Sequence, residues 1–171
     1  MQDKTPKESR AILTEIVLPN DTNNLKNLMG GRLLHWMDIA SAIAAHRHCN
    51  QTCVTAAVNN VSFDNPIPQG SIVTLEANLS RSFSSSMEIF IDVWIEDKIS
   101  GKKTKCNEAI YTFVAVNKIG TPAKVPDIKP ETELEKQRYD GALRRRQLSL
   151  ILAGKLKADD ALELKALFTQ K

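Results

Sequence analysis

Gly30-Gly31-Arg32-Leu33-Leu34-His35-Trp36-Met37-Asp38-Ile39-Ala40-Ser41-Ala42-Ile43-Ala44-Ala45 is the stretch whose reading decides the fold. Its ten apolar residues, from Leu33 to Ala45, leave almost no polar face on a helical wheel. A helix apolar nearly all round belongs inside a protein. At about 18 residues it is roughly 27 Å long, enough to cross a small domain.

On either side of this helix the pattern is that of strands. Residues 11–18, Ala-Ile-Leu-Thr-Glu-Ile-Val-Leu, form a β-branched run stopped by Pro19, and Asn20 to Asn24 is a loop of turn formers. Over residues 73–80, Val73, Leu75, Ala77 and Leu79 alternate with polar neighbours. The next run repeats this, with Met87, Ile89, Ile91, Val93 and Ile95 facing one way and Glu88, Asp92 and Glu96 the other. Residues 54–63 and 106–116 are β-rich but alternate less cleanly, which predicts central strands covered on both faces. Pro66, Pro68 and Gly70 mark one connection and Ser100-Gly101 another, so short links predict a meander of antiparallel neighbours. A flat sheet cannot enclose a helix. The expected fold class is therefore α+β, a curled antiparallel sheet wrapped around the helix, with its open side covered by a partner subunit.

Beyond Pro126 and Pro130 the composition turns charged and helix-prone, with Gly154 as an interruption. The expected organisation is a flexible arm over 1–9, the main domain over 10–127 and a helical extension over 128–171. A chain of 171 residues, 42% hydrophobic and 25% charged, has room for one real core and is excluded from the disordered and collagen-like classes. No apolar run is long enough to span a bilayer, and the first ten residues carry no signal core, so a cytoplasmic protein without a membrane partner is expected.

The charge, 23 Lys and Arg against 20 Asp and Glu, is too weakly basic to imply nucleic acid but suits an anionic small molecule. Arg144-Arg145-Arg146 reads as a solvated helix face, since no aromatic platform accompanies it. Cys49, Cys53 and Cys106 are odd in number, lack paired spacing and read as reduced thiols. Together with His46 and His48 they match no common closed zinc site, so no metal and no cofactor is expected.

Asp38 is the exception in the apolar helix, because a carboxylate there is costly unless paired, hydrogen-bonded or wet. On the residues alone two readings stand. His35, Asp38 and Ser41 form a thin solvent-facing stripe, or Asp38 sits in a cleft as general base or nucleophile. A Ser–His–Asp triad is disfavoured, since three points along one helical face do not converge on the His. Gly30 and Gly31 permit a tight entry into the helix. They also expose backbone N–H groups at its positive end, where a carbonyl oxygen becoming negative is stabilised. Asn23 is either a turn asparagine or an amide donor beside them. Arg81-Ser82-Phe83-Ser84-Ser85-Ser86 is a hairpin turn or a phosphate contact.

These residues together resemble a family. Asn20-Asp21-Thr22-Asn23, Gly30-Gly31, Trp36-Met37-Asp38 and Ala44-Ala45-His46-Arg47-His48 are similar to the opening of the hot-dog-fold acyl-CoA thioesterases of the brain-type (cytosolic) acyl-CoA hydrolase family. The similarity continues through Val54-Thr55-Ala56-Ala57-Val58, Ser62-Phe63, Ser85-Ser86-Met87-Glu88-Ile89, Val125-Pro126 and Pro130-Glu131-Thr132-Glu133, covering roughly residues 10–140. The resemblance implies metal-free hydrolysis of a fatty acyl-CoA to free acid and CoA. It puts the catalytic pair on Asn23 and Asp38, and an oxyanion hole on the N–H of Gly31, with Gly30 beside it. It further implies a site at a dimer interface, with Asn23 of one protomer facing Asp38 of the other, and dimers assembling into hexamers as trimers of dimers. Arg81, Ser84, Ser85 and Ser86 then become contacts for pantetheine or CoA phosphate. The chain departs from the family at Lys26, usually Gly, and at Asn59, usually Asp. The competing expectation is a non-catalytic acyl-CoA-binding or sensor protein on the same fold, for which Lys26 and the basic tail are the reasons. An acyl-thioester dehydratase is less well matched, because such enzymes pair a His with an acid and His46 and His48 lie well past Asp38.

Overall fold

The computed structural model describes residues 2–63, 65–97 and 99–169. The apolar stretch forms α2 (Gly30–Cys49), ended by Asn50, whose left-handed backbone at φ 53° lets its N–H reach His46 O at 2.8 Å. The strands are β1 (Ala11–Ile16), β2 (Thr52–Ser62), β3 (Ile72–Ser82), β4 (Ser86–Glu96) and β5 (Lys103–Val116). They make one antiparallel sheet in the order β1-β3-β4-β5-β2, and α2 contacts all five. The period-two residues form the seam: Val73, Leu75 and Ala77 of β3 and Met87, Ile89, Ile91 and Val93 of β4 are wholly buried, as are Met37, Ala40, Ala44 and Ala45 of α2. Each large apolar side chain so removed from water contributes roughly 1.5–3 kcal/mol. This is the hot-dog architecture, a long helix held in a curled antiparallel half-barrel.

Two expectations are corrected. The strand read over 54–63 is not central: among the described residues β2 lies at the edge of the sheet, paired only with β5, and the meander is limited to β3, β4 and β5. Its apolar residues on both faces have a different cause, for Val54 and Val58 are 47% and 42% exposed within this single chain. The open side of the curled sheet leaves Ile39 and Ile43 of the helix 37% and 38% exposed. An edge strand and a helix flank are both left apolar. The N-terminal arm is also more ordered than a solvated segment. Residues Pro6–Ser9 form α1, closed by the Glu8 carboxylate accepting from the Thr5 N–H at 2.6 Å, and Lys4 exchanges backbone bonds with Asp127 and Lys129.

The chain divides into two compact units, Met1–Lys129 and Pro130–Lys171. The second contains α3 (Glu133–Leu152) and α4 (Leu162–Thr169), which pack on each other. Thr132 and Glu135 close a reciprocal capping box at the start of α3. Gly154, with φ 68°, turns the chain after it. The Gln147 side chain accepts from the Leu164 N–H at 2.8 Å, fixing one helix against the other.

Candidate active site

The loop leading into α2 is organised by a buried carboxylate. Asp21 accepts from the Leu18 N–H at 3.0 Å through Oδ2 and pairs through Oδ1 with Arg32 Nε at 2.7 Å, while its carbonyl receives the Met29 N–H. One residue thus fixes both ends of the loop and the first turn of the helix. Within it, Asn23 Oδ1 accepts from the N–H groups of Leu25 and Asn27 at 2.9 and 3.2 Å. This Asx-type turn consumes the oxygen and leaves the Asn23 Nδ2 donors at an exposed position. Lys26 completes the turn at φ 56°. That left-handed backbone is why a glycine suits the position, and a lysine there costs about 1 kcal/mol.

The helix begins without a side-chain cap, on Met29. The N–H groups of Arg32 and Leu33 both turn to the Met29 carbonyl, and among the described residues those of Gly30 and Gly31 meet no acceptor. Two adjacent donors thus stand at the positive end of a 20-residue helix, an arrangement that favours negative charge. The glycines differ: a Cβ on Gly30 would lie 3.2 Å from the Phe63 ring, whereas one on Gly31 would meet nothing within 4 Å. A cavity of about 300 Å³ opens here, lined among others by Asn23, Gly30, Leu33, Phe63 and Asn107.

Asp38 lies eight residues past Gly30, about 12 Å along the helix axis, and is not in that lining. It is half-buried, and its Oδ1 accepts from Thr55 Oγ1 of β2 at 2.7 Å, so the carboxylate is held in place by a hydroxyl. Tyr111 sits fully buried nearby and donates to Leu34 O at 3.0 Å; burial, and secondarily the Asp38 charge, push its phenol up to about 12. The solvent-stripe reading fails at Ser41, which is buried and donates to Met37 O at 2.7 Å, and the same bond removes it from any triad.

Arg81 near the end of β3, Ser84 and Ser85 in the turn and Ser86 at the start of β4 follow one another. Arg81 stacks over Phe83, Ser84 is exposed, Ser85 is half-buried and Ser86 is buried, while the Ser84 and Ser85 carbonyls receive the N–H groups of Val125 and Ala115. Within one chain, then, Asn23 and Gly30 share a cavity, Asp38 stands apart from it, and the Arg81–Ser86 turn is a third place. Of the His and Cys cluster, His48 Nε2 bonds to Pro126 O while Cys49 and Cys53 contact each other, and among the described residues no three ligating groups converge. Sequence reasoning passed over Thr55, Asp21 and Phe63. Thr55 alone carried a signal, as a hydroxyl in a strand otherwise apolar over residues 53–58.

Fold and site define a class: a hot-dog thioesterase, with an unpaired helix N-terminus and a carboxylate on the same helix. The Thioesterase superfamily matches residues 25–102. YkhA of Bacillus subtilis, named an uncharacterized acyl-CoA thioester hydrolase, is 39% identical over 139 residues, 81% of each chain. The acyl-CoA hydrolase of Bacillus cereus is 36% identical with a TM-score of 0.81, covering 91% of this chain and 99% of that one. The acyl-CoA hydrolase of Staphylococcus aureus, solved with butyryl-CoA, CoA and CoA disulfide, is 32% identical with a TM-score of 0.84, covering 91% and 96%. It has also been solved with an aspartate, an asparagine and a threonine separately replaced by alanine. This chain belongs to the acyl-CoA thioester hydrolases of the thioesterase superfamily.

Proposed function

We propose that the chain hydrolyses fatty acyl-CoA with Asp38 as the reactive carboxylate, Asn23 as the positioning amide and the Gly30 and Gly31 N–H groups as the oxyanion hole. The observation that carries this reading is the Asp38 carboxylate held at 2.7 Å by Thr55 on a helix whose first two N–H groups are unpaired. The three residues replaced in the Staphylococcus aureus hydrolase are spaced along that chain as Asn23, Asp38 and Thr55 are here.

The thioester carbonyl oxygen accepts from the glycine N–H groups, which gain strength as that oxygen becomes negative. Asp38 Oδ2 then either takes a proton from the attacking water or adds to the carbonyl carbon itself. Label from ¹⁸O-water found in Asp38 after a single turnover identifies the second route, since only a mixed anhydride opened at the Asp38 carboxyl carbon puts it there. In the first route the tetrahedral adduct expels CoA, which leaves as the thiol with the proton Asp38 took from water. In the second, CoA departs to leave an acyl–Asp38 anhydride, which a water molecule then hydrolyses to the acid and the free carboxylate. Asn23 Nδ2 orients the attacking or carbonyl group.

The separation of Asn23 from Asp38 within one chain supports a site completed by a second copy, with Asn23 of one protomer facing Asp38 of its partner. The free edge of β2 and the exposed Ile39, Ile43, Val54 and Val58 supply the apolar surface that such a dimer covers. Trimers of dimers are the expected assembly; an acyl-CoA thioesterase 34% identical over 90% of this chain, with a TM-score of 0.85, is hexameric. Arg81 and Ser84, with Ser85 and Ser86 behind them, are the proposed contacts for the CoA phosphates. The compartment proposed is the cytoplasm; among the described residues no helix is long and apolar enough to cross a membrane.

The test is steady-state hydrolysis of an acyl-CoA panel by the wild type and Asp38→Ala. Loss of at least about a hundredfold in kcat is expected. Equal activity of the two ends the assignment.

A further inference from the structure

At the far end of α2 the helix C-terminus and the start of β2 hold two thiols in contact. Cys49 is the last residue of the helix, Asn50 turns the chain in the left-handed conformation, and Cys53 returns as the second residue of the strand. Their Sγ atoms lie 3.1 Å apart, and both thiols also reach the Gln51 carbonyl, at 3.7 and 3.4 Å. Cys106 is elsewhere, directed at Val93 O on β4. Beside the pair a cavity of about 560 Å³ is lined by His46, Asn50, Gln51, Thr52 and Lys118 among others, so Gln51 belongs both to its wall and to the thiol cluster.

We propose that Cys49 and Cys53 form a redox-active dithiol site, which peroxides convert to an intramolecular disulfide and dithiols restore. None of the hydrolytic chemistry uses these sulfurs. Bonding needs each sulfur to move about half an ångström, toward a separation of about 2.05 Å, on side chains already aimed at each other.

The two thiols are chemically unequal. The Cys53 hydrogen bond is the largest influence drawing the Cys49 thiol down to about 6, helped by the Gln51 backbone and His46, while Cys53 is pushed up by Cys49 and by burial. Cys49 is therefore the more acidic of the two and the readier source of thiolate. Cys106, raised by burial to about 11, is the inert control.

The Cys49 thiolate attacks one oxygen of hydrogen peroxide and hydroxide leaves, giving a sulfenic acid. The Cys53 sulfur then attacks the Cys49 sulfur, its proton and the departing hydroxyl forming water. In sum, two thiols and one peroxide give one disulfide and two waters. Hydrogen peroxide is small enough for a pair in which Cys49 is buried and Cys53 half-buried.

The test treats the native, full-length protein with a few equivalents of hydrogen peroxide and maps it by mass spectrometry under non-reducing conditions. No Lys or Arg lies between His48 and Arg81, so both cysteines fall in one tryptic peptide. That peptide is expected to lose about 2 Da, resist alkylation and revert with dithiothreitol. Cys106→Ser is expected to change none of this, and Cys53→Ser to trap a dimedone-reactive sulfenic acid on Cys49. Oxidised protein is expected to melt about 4 °C higher than reduced, since a short loop has been closed. The proposal is overturned by sulfinic or sulfonic acids without the disulfide, by disulfides reaching Cys106 as readily, or by a Cys49 no faster to oxidise than Cys106. None of these outcomes bears on thioester hydrolysis.

Discussion

Asp38 and Thr55 show how much one hydroxyl is asked to do. A hydrogen bond to a charged group is worth about 1.5–3 kcal/mol, so Thr55→Val is expected to lower kcat roughly ten- to a hundredfold. Thr55→Ser, which keeps the donor, is expected to remain near wild type, and steady-state kinetics on both variants checks this. Lys26 gives a prediction of opposite sign. Its backbone sits at φ 56°, so Lys26→Gly is expected to raise unfolding stability by about 1 kcal/mol in a denaturant titration. His48 is wholly buried, its Nε2 satisfied by Pro126 and, among the described residues, its Nδ1 without a partner. Burial holds its pKa below the ordinary 6.5, so the folded state prefers the neutral ring. The unfolded chain therefore binds the proton first. This contribution is complete above about pH 6.5, and is lost as the pH falls from there through the folded value. Thermal melts of wild type and His48→Gln are expected to converge as the pH is lowered from 7.5 to 5. A constant difference would contradict the assignment.

At the level of elements, the start of α2 separates space from donors. Gly31→Ala keeps its N–H, meets nothing within 4 Å and is expected to leave hydrolysis within a fewfold of wild type. Gly30→Ala pushes the Phe63 ring and is expected to cost about tenfold in kcat/KM, recovered in part by adding Phe63→Ala; measuring the four proteins side by side isolates the contact. The helix, the two alternating strands and the glycine entry were all legible in the sequence, because each has a periodicity or a residue type with one physical meaning. The position of β2 was not. Apolar residues on both faces of Val54 to Val58 have the same signature whether the second covering layer comes from the same chain or from another copy. Nor was Thr55 legible as the partner of Asp38, because a hydrogen bond between residues 17 apart depends on how β2 lies against α2. Ser41 misled in the same way: spacing put it on the Asp38 face, and its bond to Met37 O turned it inward.

For the whole molecule, the two apolar surfaces belong together. Ile39 and Ile43 on the helix and Val54 and Val58 on the edge strand are more than a third exposed, and β2 has a free hydrogen-bonding edge. Left open, such an edge is a hazard; covered by a copy of itself, it extends the sheet. Val54→Lys combined with Val58→Lys is expected to yield monomers by light scattering and to abolish hydrolysis together with assembly. The central claim, that two chains share each reacting centre, is tested most directly by co-expressing differently tagged Asn23→Ala and Asp38→Ala chains and assaying the mixed assemblies. In a heterodimer of these variants one site receives both substitutions and the other neither. Random pairing is thus expected to recover about a quarter of wild-type turnover from two nearly inactive parents. Activity no greater than the mean of the parents would contradict the account, leaving Asn23 and Asp38 to act, if at all, within a single chain.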